Sequence, residues 1–69
     1  GQKPVCLQAD DEILRHWAQN ALNRNNCFCL SEPSDDYPTV RITSPENILL
    51  TTSQGTHTCT SFDELLQNI

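Results

Sequence analysis

Four cysteines, Cys6, Cys27, Cys29 and Cys59, spread over only 69 residues, restrict how this chain can fold more than any other feature. A chain of this length buries about 60% of the surface its unfolded form exposes, so an apolar core alone is marginal and a staple is expected to support it. An even cysteine count in a short sequence poor in lysine and rich in threonine, serine and asparagine reads as two disulfides formed in an oxidising compartment. A Cys27–Cys29 bridge is disfavoured, because a one-residue spacer on an extended strand sets the sulfurs at the wrong separation. The expected pairing joins Cys6 to one of Cys27 and Cys29, and Cys59 to the other, each closed loop contributing on the order of 3 kcal/mol. Which member pairs with which stays open.

Periodicity then supplies the elements. Pro4–Leu7 reads as a short extended segment. From Asp10, the expected N-cap, the residues Ile13, Leu14, Trp17, Ala18, Ala21 and Leu22 recur at helical spacing and form one apolar stripe. Asn23 to Asn26 close this helix, since asparagine tolerates the left-handed conformation. Cys27 to Leu30 is expected as a strand with both cysteines on one face and Phe28 on the other. The stretch SEPSDDYP, residues 31–38, is a loop by its prolines, serines and acids. Thr39–Thr43, Ile48–Ser53 and Thr56–Thr60 alternate or carry β-branched residues and are separated by turns at 44–47 and 54–55, which describes a β-meander. Ser61 and Glu64 make an S-x-x-E capping box, and Phe62, Leu65, Leu66 and Ile69 follow at helical spacing. The expected architecture is one α+β domain over residues 1–69, two helices packed on a small, mostly antiparallel sheet, stapled by disulfides.

Charge narrows the function classes. The chain carries nine acidic and four basic side chains, a net charge of −5, and Lys3, Arg15, Arg24 and Arg41 are scattered singly. Nucleic acid needs a basic stripe, and anionic membrane surfaces need one too, so neither is an expected partner. No segment approaches the roughly 18 apolar residues of a membrane span. With no methionine anywhere, the sequence reads as a processed protein or an excised domain.

Catalytic and metal chemistry find little support. There is no G-x-S-x-G elbow and no glycine-rich phosphate loop, the chain having two glycines, so no catalytic residue and no cofactor are assigned. Glu32, Asp35 and Asp36 lack the spacing and the glycine of a calcium loop. The four cysteines with His57 offer zinc ligands, but a single C-x-C with two lone cysteines departs from the paired knuckles of structural zinc, and this reading ranks below disulfides. A phosphopeptide pocket would need an arginine on the strand that here ends in Leu30 and Ser31.

Leu14 with Trp17-Ala18, Asp36-Tyr37-Pro38 ahead of a strand, and Ser61-Phe62 with Leu65-Leu66 together resemble the C-terminal domain of the toxin-coregulated pilus biosynthesis protein Q and PilL-type family, over residues 10–69. That resemblance implies a non-enzymatic periplasmic module that binds and stabilises an outer-membrane secretin during type IV pilus assembly. Strand addition at a sheet edge offers a route, with Thr56, Thr58 and Thr60 on the outer strand and Tyr37 as a candidate aromatic anchor. The favoured reading of the same threonines is an ordinary solvated face, and of Tyr37 a cover over the end of the core. The rival reading is a free secreted mini-protein, an effector or inhibitor held by its disulfides.

Overall fold

Lys3–Ala9 forms the strand (β1) around which the sheet is organised, and the computed structural model describes all residues 1–69. Helix α1, Glu12–Arg24, follows it, and β2, Cys27–Cys29, returns parallel to the first half of β1. β3, Thr39–Ser44, lies parallel to the second half of β1 on its other side. β2 therefore covers Lys3–Val5 and β3 covers Cys6–Ala9, so the loop between them only has to cross β1. It crosses at Cys6, whose amide donates to Pro38 and whose Sγ accepts from the Ser34 amide at 3.3 Å. β4, Asn47–Thr52, and β5, Gly55–Cys59, complete an antiparallel meander, and α2, Phe62–Asn68, closes the chain. The strand order is β2-β1-β3-β4-β5.

The domain is α+β as expected, with both helices contributing to one core. Val5, Leu7, Val40, Ile42, Ile48, Leu50, Cys27 and Cys59 point to the helix side and pack with Ala18, Leu22 and Leu65. Across the meander, apolar residues sit opposite one another, Val40 with Leu50 and Ile42 with Ile48, so one strand period supplies a continuous apolar face. α1 buries Ala18, Ala21 and Leu22, with Leu14 partly buried against the core. Ile13 lies outside that arc and is 83% exposed, and Trp17, at its margin, is 38% exposed. Neither belongs to the core stripe assigned from periodicity, because about 100° per residue carries both beyond the arc that faces the sheet.

Local chemistry explains the boundaries. Asp11, not Asp10, is the N-cap of α1; its Oδ1 accepts from the Leu14 amide at 2.8 Å, while Asp10 pairs with Arg41 at 3.0 Å. Asn26 closes the helix with φ 62°, as the asparagine run predicts, and the Asn25 side chain donates to the Ala21 carbonyl. Gly55, at φ 123°, takes the turn between β4 and β5 into a region that side chains rarely enter.

The disulfide expectation is overturned. Cys6, Cys27, Cys29 and Cys59 are all free thiols. Cys6 alternates with the core residues Val5 and Leu7 and so projects to the opposite face from Cys27 and Cys29, which lie across from Lys3 and Val5. Cys59 stands on β5 at the far edge from β2, four strand spacings of about 4.8 Å away. A disulfide holds its Cα atoms within about 7 Å, so no bridge joins Cys59 to any of the other three across this sheet. With no crosslink, the cysteines no longer argue for an oxidising compartment. The same scatter keeps the four sulfurs from assembling as one zinc site.

Candidate functional site

β5 ends the sheet with no strand beyond it. Four of its five residues, Gly55 to Thr58, are exposed, and Cys59 is buried. The opposite end of the sheet is the three-residue β2, too short to template much pairing. Natural edges are commonly blunted by lysine, proline or inward charge, and β5, reading GTHTC, has none of these.

Alternation divides the strand between two environments. Thr56 and Thr58 lie on the helix-free face, where the Thr56 and Thr51 hydroxyls bond at 3.2 Å. His57 and Cys59 lie on the helix side, opposite Leu50 and Ile48. Thr60 falls beyond β5, and both its amide and its hydroxyl donate to Glu64 Oε1 at 3.0 Å. Of the three threonines assigned to the outer strand, two therefore flank the edge and the third belongs to the cap of α2. Tyr37 is exposed in the loop ahead of β3, where it lines a polar cleft of about 360 Å³ formed by Ser34–Thr39 and Thr51–Ser53. It does not cover the core.

The turn from β5 into α2 brings three further side chains together. Ser61 Oγ accepts from the Glu64 amide at 3.1 Å, the first half of the capping box. Glu64 reaches back one residue further than the box requires, to Thr60 instead of Ser61, which swings its second oxygen to within 3.3 Å of His57 Nε2. Cys59 Sγ completes the group, the three donor atoms lying within 4.8 Å of one another. Hydrogen bonds from the Thr60 amide and hydroxyl, followed by that with His57, hold the Glu64 carboxyl below the usual glutamate range. Burial, aided by the Glu64 charge, raises the Cys59 thiol. At the opposite edge of the sheet, burial also raises Cys29, with Arg15 opposing it. The convergence of His57, Cys59 and Glu64 was missed in the sequence. The H-x-C spacing placed two of them on one strand face, but the third arrives only through the overshooting cap.

Comparison with known proteins gives one result. The family model described as the iron ABC transporter C-terminal domain matches residues 2–69. Among curated proteins and among solved structures, none matches the chain. The match overturns the resemblance to the toxin-coregulated pilus Q and PilL-type domain, and with it the secretin-binding and pilus-assembly function. The residues behind that resemblance have packing roles that any small α+β domain needs: Ala18 and Leu65 are in the core, and Trp17 meets Phe62 edge-on. The free secreted mini-protein fares no better, since the disulfides it relied on are absent.

Proposed function

The chain belongs to the iron ABC transporter C-terminal domain family, and on that premise we propose that it is a non-catalytic protein-contact module of an iron transporter, docking another subunit of the assembly along β5. The observation that carries this reading is the open edge: β5 pairs only with β4, and four exposed residues in a row present no lysine, arginine, acid or proline. Such an edge offers backbone donors and acceptors to an incoming strand, while alternate side chains supply selectivity. Thr56 and Thr58 are short and uncharged, so a partner strand can approach without burying an unpaired charge. No helix of the chain is long and apolar enough to cross a membrane, so this segment does not insert by a helix.

Binding of the 69-residue chain to the transporter's own purified subunits tests this. Thr56→Lys and Thr58→Lys place a charge at the edge without touching the core. Each is expected to weaken binding at least about tenfold, roughly 1.4 kcal/mol, with the melting temperature unchanged. Undiminished binding by both variants, or no binding by the unmodified chain, refutes edge docking.

A further inference from the structure

We propose that His57, Cys59 and Glu64 form a binding site for a first-row divalent metal ion of borderline softness, the class that includes Fe²⁺ and Zn²⁺. The three residues supply one imidazole nitrogen, one thiolate and one carboxylate, a donor set that suits such ions and not the oxygen-seeking Mg²⁺ or Ca²⁺. Their atoms already lie within 4.8 Å of one another. Metal–ligand bonds of about 2.0–2.3 Å make the edges of a tetrahedron about 3.3–3.8 Å long. The His57–Glu64 edge, at 3.3 Å, has that length, and the two edges to Cys59 Sγ are no longer than 4.8 Å.

The ligands come from two elements with unequal freedom. Cys59 is fully buried in the core and forms the floor of the site, whereas His57 is exposed and Glu64 half-exposed at its rim. His57 and Cys59 alternate on β5 and so share a face, and Glu64 is fixed by the Thr60 bonds to its other oxygen. Those bonds act as an outer shell that orients the carboxylate. On binding, the Cys59 thiol releases its proton to solvent, the His57 ring proton passes by way of solvent from Nε2 to Nδ1, and the His57–Glu64 hydrogen bond is replaced by two metal bonds. Thiolate and carboxylate together neutralise the 2+ charge, and water takes the remaining position.

In a domain of an iron-transporter family, the site gives a means of responding to a metal ion, and it stands apart from edge docking. Thr56 and Thr58 point away from it.

Titration of the reduced 69-residue chain with Co²⁺ under nitrogen tests the proposal. The expected result is one Co²⁺ per chain, with thiolate-to-cobalt charge-transfer absorption and a raised melting temperature. Cys59→Ser abolishes the charge-transfer band, and His57→Gln and Glu64→Gln each weaken binding at least about tenfold. Cys29→Ser leaves it unchanged. Zn²⁺ displaces Co²⁺ at equal concentration and Fe²⁺ does so in excess, as the usual affinity order of these ions requires, while Mg²⁺ and Ca²⁺ in the same excess do not. Absence of the band, its survival in Cys59→Ser, loss in Cys29→Ser, or resistance to both Fe²⁺ and Zn²⁺ overturns the site. Should Cys59→Ser fail to fold, the two variants at the rim decide, because neither residue is in the core.

Discussion

Trp17 meets Phe62 edge-on, ring centroids 5.3 Å apart and planes at 72°, and this contact ties α1 to α2 across the top of the sheet. The two helices pack on different strands, α1 on β1, β2 and β3 and α2 on β4 and β5. The aromatic pair adds a direct bridge between them beside the core they share.

Trp17→Ala is therefore expected to destabilise by about 2 kcal/mol, less than the roughly 3–5 kcal/mol of a fully buried tryptophan, because the residue is 38% exposed. For a chain of this size the melting temperature falls by about 10 °C. A double-mutant cycle with Phe62→Ala should return a coupling of about 0.5–1.5 kcal/mol. A coupling of zero would mean the rings do not hold the helices together.

Four free thiols predict indifference to reductant. Intact mass is unchanged by reduction, and the melting temperature in thiol-containing buffer equals that without it. After unfolding, an alkylating reagent labels all four cysteines. A mass gain of four hydrogens on reduction would restore the crosslinked reading.

Asn26 sits at φ 62°, where a β-carbon is penalised but asparagine is tolerated. Asn26→Ala should cost about 1 kcal/mol, and Asn26→Gly should be neutral or slightly stabilising. Urea midpoints of the two variants check this. Equal destabilisation by both would place the effect in the side chain and not in the backbone.

Glu64 accepts from Thr60 and His57, and its carboxyl titrates below the ordinary glutamate range. A group more acidic when folded than unfolded adds stability that is complete above its unfolded pKa and is lost as the pH falls through the folded one. In metal-free buffer, the stability gap between the unmodified chain and Glu64→Gln should be widest near neutrality and should close in acid. Chemical denaturation across the acid range measures it; a gap that widens on acidification contradicts the sign.

Much of this fold was legible in linear order because its signals are local. The alternation of Val40 and Ile42, the Ser61 cap of α2 and the asparagines after Arg24 each depend on neighbours within a few residues, and each appears where expected. Asp11 displaced Asp10 as the cap by one position, since Asp10 finds a closer use with Arg41 on a distant strand. Ile13 failed for a related reason: helical spacing defines an arc, but the sheet decides where the arc is centred.

The amino-acid order alone determined the two amphipathic helices, the meander and the α+β class, through periodicities that the backbone imposes whatever surrounds them. Only the tertiary arrangement decided the fate of the sulfurs. Strand order and pleat put Cys6 on one face, Cys27 and Cys29 on the other, and Cys59 at the far edge, so residues that looked like pairs cannot meet. The same packing set Cys59 beside His57 and Glu64. Proximity between distant residues is a property of how elements are stacked, and that is settled by which apolar faces bury one another, not by spacing along the chain.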